Sequence, residues 1–450
     1  MEKLVSLCQR RGFIFQSSDI YGGLSSCWDY GPIGVELKRN IKESWWRANV
    51  RERDDMVGID TSILMNPKVW EASGHVTQFS DPLVECRSCH QRWRADDLPP
   101  DSGDKCPACG GEFTEPQQFN LMFRTFMGPV EEAANAVYLR PETAQGIFVN
   151  FQNVLNTSRK RLPFGIAQVG KSFRNEITTG NFIFRSREFE QMEIEYFVKP
   201  GTDEELFDYW VEERLNWYYN LGIRKENLHL REHAEDELAH YSRKCFDIEY
   251  NFPMGWAELE GIANRGDFDL KQHMEHSGRS LTYLDEESNT HIVPYVIEPS
   301  AGVDRSVLAV LCDAYDEEPD KDEIRVLFHF HPDIAPIKVA VLPLSRKEHL
   351  ATFAKDVYAS LRPCFLTQYD DTQSIGRRYR RQDELGTPYC VTVDFQSLED
   401  NMATIRERDT MNQIRVPVPA LADTLLAKLA GEELFVLPEG GQIWKQETGG

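Results

Sequence analysis

Two stretches of the chain alternate with the period of a β-strand. In "GIAQVGKSFRNE" the residues Gln168, Gly170, Ser172, Arg174 and Glu176 fall on one face. In "FRSREFEQMEIEYF" the residues Arg185, Arg187, Phe189, Gln191, Glu193 and Glu195 fall on one face, and Met192, Ile194 and Tyr196 on the other. The turn signal "TTGN" stands between them, so the pair predicts an antiparallel hairpin. One side is apolar and suits a core; the other carries both signs of charge. Helical spacing begins near Val35, where Leu37, Ile41, Trp45 and Ala48 share a face. The adjacent Trp45 and Trp46 suit either a plain core helix or a second packing partner. The opening "GFIFQSSDIYGGLSSCWDYGPIG" reads as strand and turn, and the charge run at 313–323 as a solvated loop.

After "FHFHPDIAP" the texture changes. Strand "IKVAVLPL", helix "RKEHLATFAKDVYASL", strand "CFLTQYD", helix "IGRRYRRQDEL", strand "YCVTVD" and a last helix at "ALADTLLAKLA" predict an α/β domain with a mostly parallel sheet. The division expected is 1–334 and 335–450, the last 20 residues or so (431–450) being a flexible tail.

At 450 residues the chain can bury more than one core. No apolar run approaches the ~18 residues of a membrane span and no secretory segment opens the chain, so a cytoplasmic location is expected. The net charge of −23 opposes holding a polyanion by overall attraction. From Ile337 onward, however, 14 Lys/Arg face 16 Asp/Glu, so the C-terminal part is the less hostile surface.

Four of the ten cysteines sit as "CRSCH" and "CPACG". Cys86, Cys89, Cys106 and Cys109 have the spacing of a structural zinc knuckle, in which four thiolates close a tetrahedron. The alternative is four buried or disulfide-bonded cysteines. The surrounding segment, about 81–118, has its own Pro/Gly turns and reads as an insertion.

"GIAQVGKS" also fits the phosphate-loop pattern G-x-x-x-x-G-K-[ST]. A true phosphate loop opens a helix. Here only five residues separate Ser172 from the turn, and Ile-Ala-Gln-Val between the two glycines favours a strand. The phosphate loop is rejected. The charged face of the hairpin then needs another account: a surface of paired charges, or a ligand that matches it. Arginine forks suit phosphates, Phe189 a base, and Glu193 an ammonium, which together describe ATP plus an amino acid.

These segments, with "EPSAGVDRSVLAVL", resemble motifs 2 and 3 of the class II aminoacyl-tRNA synthetases. "GFIFQSSDIYGGL", "WDYGPIGVELK", "YLRPETAQGIFVNF", "VIEPSAGVDR" and "GRRYRRQDELGTP" are most similar to the homodimeric type of glycyl-tRNA synthetase. The resemblance implies an α+β catalytic domain with an antiparallel sheet flanked by helices, carrying the zinc insertion, and a C-terminal α/β anticodon-binding domain. It implies glycine, ATP with Mg²⁺, and tRNA(Gly) as ligands, and a homodimer.

By the same resemblance, Arg174 meets the α-phosphate and Arg305 completes the clamp. Glu176 places the adenosine, Arg185 and Arg187 meet the outer phosphates or the acceptor end, and Phe189 the adenine. Glu258 faces ATP and Mg²⁺. Asn175, Phe184, Ser186, Glu188, Leu259, Gly302, Val303 and Asp304 flank these as nucleotide contacts. Glu142, Glu193, Glu298 and Ser300 surround the glycine ammonium, Arg94 contacts substrate, and Glu190, Gln191, Met192, Pro299 and Ala301 border the same pocket. A synthetase-like binding protein that has lost catalysis is the other reading; it need not keep both motif arginines, and both are present.

Overall fold

A computed structural model describes residues 1–98, 103, 105–177, 180–239, 242–320 and 323–444. Its larger sheet has seven strands, in the order Leu228–Glu232, Lys244–Phe252, Gly255–Gly266, Tyr295–Gly302, Glu188–Val198, Phe164–Phe173 and Met56–Gly58. All neighbours are antiparallel except Met56–Gly58, which runs parallel to Phe164–Phe173. The hairpin read from the alternation therefore forms two interior strands of the sheet, between Tyr295–Gly302 and the edge strand Met56–Gly58; Thr178 and Thr179 of its turn signal lie outside the described residues.

The two faces are covered differently. Met192, Ile194 and Tyr196 enter the main core, packed by helices Gly34–Trp46, Asp203–Asn220 and Val303–Ala314. The other face is covered only over half its length, where Phe164, Ile166 and Phe197 meet helices Ala144–Ser158 and Phe268–Ser277. The uncovered half becomes a cleft.

Helix Gly34–Trp46 buries Leu37, Ile41 and Trp45 as its spacing predicts. Both tryptophans are used within the chain: Trp45 is 1% exposed, and Trp46 covers Gly58 so closely that a Cβ there would overlap its ring.

The second sheet has the order Thr367–Tyr369, Val339–Pro343, Tyr389–Val393, Met402–Glu407, Gln413–Pro417 and Gln442–Trp444, with its own core. Only the first three strands are parallel. The remaining pairings are antiparallel, which corrects the mostly parallel expectation. After Tyr389–Val393 the chain doubles back through the short helix Ser397–Asp400 and then a five-residue turn, and the edge strand Gln442–Trp444 returns antiparallel only after helix Leu421–Leu429. The expected tail is also corrected as far as Trp444. Leu434 joins the core, Lys428 Nζ donates to the carbonyls of Glu433 and Val436, and Gln442–Trp444 adds the edge strand. Residues 445–450 of that tail lie outside the described residues.

The charge run is likewise no open loop. Tyr315–Asp320 pairs with Glu323–Phe328 as a hairpin. Its acids meet cations on both sides: Glu317 with Lys3, Glu318 with Arg325, and Asp320 with Arg380. Arg325 also reaches Asp383 at 2.9 Å, joining the hairpin to the second sheet's helix Ile375–Leu385. Charge on both faces hid the strand period.

Candidate active site

The phosphate-loop match is a strand. Gly165 and Gly170 are glycines of close packing: a Cβ on Gly165 would overlap Met56, and one on Gly170 the guanidinium of Arg140. Lys171 is exposed and pairs with Glu188 on the side opposite the cleft.

Antiparallel register sets the cleft floor. Opposed residues point to the same face, so Gln168, Glu193, Ser300 and Gly261 form one row and Gly170, Gln191 and Gly302 the next. Glu193 is buried and accepts four hydrogen bonds. They come from the Thr143 backbone N–H at 2.9 Å, the Thr143 hydroxyl, Gln191 Nε2 at 2.8 Å and Ser300 Oγ at 2.7 Å. Glu142 takes Gln145 Nε2 at 3.0 Å and faces His75 Nε2 at 3.3 Å. Glu298 is held by Arg265 Nη1 at 2.9 and 3.0 Å, while Arg265 also binds Asp269.

Three carboxylates are thus packed in a water-poor pocket. Burial and Glu142 raise the pKa of Glu193. Burial, with Glu193 and Glu142, pushes Glu298 up to about 8 despite Arg265. Burial also opposes ionisation of Glu142, but His75 and Arg265 hold it well below the usual carboxylate range. The pocket is short of positive charge, so a small cation fits it.

Beside it opens a cleft lined by Arg174, Glu176, Phe184, Arg185, Ser186, Phe189, Gln191, Glu258, Ser300, Gly302, Asp304 and Arg305. The guanidinium of Arg174 lies between the rings of Phe79 and Phe189, at 5.3 and 5.5 Å, and its Nε donates to Pro141 O. Arg305 lies over Phe184 at 4.5 Å and pairs with Glu258 at 3.0 Å, which holds Glu258 below its ordinary pKa. Burial raises Glu176 against the pull of Arg174 and Arg185. Two arginines, an aromatic ring and a carboxylate on one wall can hold a nucleotide.

Several expected residues lie elsewhere, because the strand period turns alternate side chains away. Met192, Ala301, Leu259 and Val303 belong to the main core, and Pro299 opposes Ile262. Glu190 binds Lys38 and Lys42 on the reverse face, where Glu188 also lies. Asp304 touches the cleft, but its carboxylate accepts from Tyr30, Lys38 and the Glu190 N–H. These could meet a ligand in the cleft through backbone alone. Arg187 reaches the carbonyls of Ser25 and Glu176, and the Asn175 N–H bonds Leu121 O. Arg94 pairs with Asp81 and Asp96 at the edge of the Cys-rich segment. Sequence reasoning missed His75, Phe79, Thr143, Gln145 and Arg265. Only Thr143 and Gln145 had a signal, their nearness to Glu142.

The four cysteine sulfurs lie within 4.8 Å of one another, with Cys86–Cys109 at 3.4 Å and Cys89–Cys106 at 3.7 Å. Each knuckle closes by the same pair of backbone bonds: Cys86 N–H to Gln91 O with His90 N–H to Cys86 O, and Cys106 N–H to Gly111 O with Gly110 N–H to Cys106 O. A tetrahedral ion with metal–sulfur bonds of ~2.3 Å needs sulfurs ~3.8 Å apart, so the set fits zinc.

Residues 126–314 match the family model described as the tRNA synthetase class II core domain (G, H, P, S and T), and residues 338–428 the anticodon binding domain. The glycine–tRNA ligase of Thermobifida fusca is 56% identical over 96% of this chain and 98% of its own length. That of Treponema denticola is 55% identical over 93% and 94%, and that of Bacillus anthracis 53% over 95% and 99%. The chain belongs to the glycine–tRNA ligase family of class II aminoacyl-tRNA synthetases.

Proposed function

We propose that the chain activates glycine with ATP to glycyl-adenylate and transfers the glycine to the 3′ end of tRNA(Gly). The observation that carries this is the position of Glu193: fully hydrogen-bonded between Thr143 and Ser300, on the sheet face that also presents Arg174 and Phe189. Glu142, Glu193 and Glu298 with Ser300 receive the ammonium. The glycine carboxylate then lies toward Arg174, which also meets the α-phosphate.

The carboxylate oxygen attacks the α-phosphorus, and the bond to pyrophosphate breaks. No general base is needed, because the nucleophile is already ionised. Catalysis is positioning and charge neutralisation by Arg174 and Arg305, with adenine on Phe189. Mg²⁺ neutralises triphosphate charge when bound, and Glu258, its carboxylate half exposed on the cleft wall, is the residue to hold it. In the second step the terminal ribose hydroxyl attacks the glycyl carbon and AMP leaves.

Glycine is chosen by crowding: a site that closes on the smallest amino acid rejects every larger one without editing. The residues near 335 divide the chain into a catalytic part and an anticodon-binding part, in line with the separate core that begins at Val339. Zinc at Cys86, Cys89, Cys106 and Cys109 is structural, since four thiolates leave no open position. A homodimer is proposed from the family type, and Ile20 and Tyr21, 87% and 86% exposed, suit a covered surface. No helix among the described residues is long and apolar enough to cross a membrane, and a cytoplasmic location is proposed.

The test is ATP–pyrophosphate exchange screened across amino acids. Glycine should support it, and alanine and serine should give little. Equal or faster exchange with a larger amino acid would overturn the glycine assignment.

A further inference from the structure

One short turn touches both halves of the cleft. Ser73–Phe79 follows helix Pro67–Ala72, reverses at Gly74 (φ 82°), and forms the single-turn helix His75–Gln78. Its first and last side chains face different substrates. His75 Nε2 stands 3.3 Å from Glu142, on the ammonium side. The ring of Phe79 lies 5.3 Å from the guanidinium carbon of Arg174, on the phosphate side.

The imidazole is over-determined. Ser73 Oγ meets Nδ1 at 2.8 Å, and Trp70 and Phe79 flank the ring at 5.5 and 5.3 Å. A carboxylate only accepts, so the proton facing Glu142 sits on Nε2. Phe79 is fixed from behind. Asn120 Nδ2 donates to the carbonyls of His75 and Val76, both at 3.0 Å, and the Leu121 N–H donates to Phe79 O at 3.1 Å. Leu121 O in turn accepts from the Asn175 N–H, next to Arg174. Asn120 ends the strand by which the chain leaves the Cys-rich insertion.

We propose that Ser73–Phe79 is a two-sided positioning turn, in which His75 sets Glu142 for the glycine ammonium and Phe79 sets Arg174 for the α-phosphate. This rests on the roles given above to Glu142 and Arg174. His75 and Phe79 are positioning residues; neither touches a reacting atom. A carboxylate without its donor keeps its charge but not its aim, and the loss appears in glycine binding. An arginine without one of its two flanking rings keeps its Nε anchor but not its plane, and the loss appears in turnover.

The test is pyrophosphate exchange by the full chain, with KM for glycine, KM for ATP and kcat measured separately and folding checked by thermal melt. Two conservative pairs carry it. In His75→Gln the amide reaches the Nε2 position, whereas in His75→Asn it stops at the Nδ1 position. His75→Asn is expected to raise glycine KM roughly tenfold, with ATP KM within about twofold, and His75→Gln to restore most of the loss. Phe79→Leu is expected to lower kcat about fivefold with glycine KM little changed, and Phe79→Tyr, which keeps the ring face, to restore it. Asn and Gln variants that behave alike, or His75 and Phe79 variants that shift all three parameters together, would overturn the two-sided role. Glu142→Gln separates this from the reading beneath it. If Glu142→Gln leaves glycine KM unchanged, the ammonium pocket itself is wrong; if it raises KM while His75→Asn does not, only the positioning role falls.

Discussion

Arg140 lies across the strand at Gly170. Its Nε donates to Lys171 O at 2.7 Å and its Nη1 to Thr61 O at 2.8 Å, so the guanidinium that a Cβ on Gly170 would strike has nowhere to retreat. Gly170→Ala should therefore destabilise the chain by about 1–3 kcal/mol, the ordinary cost of overpacking. A thermal melt measures it. An unchanged melting temperature would show that the guanidinium moves aside at little cost.

That relationship also shows where the sequence was legible. Period-2 alternation gave the hairpin and which side chains share its charged face, because strand geometry leaves two choices of face. Which of the expected nucleotide and glycine contacts turn their side chains into the cleft was less legible. Met192, Ala301 and Leu259 sit beside lining residues in sequence, yet the same period sends them into the core, and Val303 enters it as the first residue of helix Val303–Ala314. His75, Phe79 and Arg265 come from segments distant in sequence and converge only through the sheet's packing. The first strand of the hairpin at 315–328 was hidden because its acids meet Lys3 and Arg380 from two other elements and Arg325 from the opposing strand, so no apolar face betrayed it.

Glu195 is fully buried, and neither of its carboxyl oxygens has a hydrogen-bond partner. Burial first, and then Glu298, raise its pKa well above the ordinary value. A carboxyl raised in the folded state stabilises fully below its unfolded pKa, and that contribution is lost as pH rises toward the folded one. Glu195→Gln cannot titrate, so its stability relative to the parent should improve between pH 6 and 9. The upper limit is about 1.4 kcal/mol per pH unit. Denaturant unfolding at several pH values is the check, and parallel curves for the two proteins would contradict it.

The pocket should also titrate against its ligand. With Glu298 raised to about 8 by burial and its carboxylate neighbours, the empty pocket holds a proton near neutral pH that an ammonium must displace. Glycine KM in pyrophosphate exchange should fall as pH rises from 6.5 and level near 8, and Glu298→Gln should flatten the profile. A KM that rises with pH over this range would refute the shared proton.

The Cys-rich segment should carry one zinc per chain, measurable by elemental analysis of the purified protein. Cys106→Ser should lose the metal and loosen the turns closed by Cys106 and Gly110. A metal-free protein with an unaltered melting transition would show that the four thiols stand without an ion.

The most direct test compares two neighbouring residues on opposite faces of one strand and its extension. Lys171 pairs with Glu188 away from the cleft, whereas Arg174 lies within it between Phe79 and Phe189. Glycine-dependent ATP–pyrophosphate exchange should survive Lys171→Met with little change, since an exposed ion pair contributes at most about 1 kcal/mol to stability. Arg174→Ala should lower exchange by on the order of 10²-fold or more, as removal of a donor at the reacting phosphorus does. A dead Lys171→Met beside a healthy Arg174→Ala would contradict the synthetase site and restore the phosphate loop.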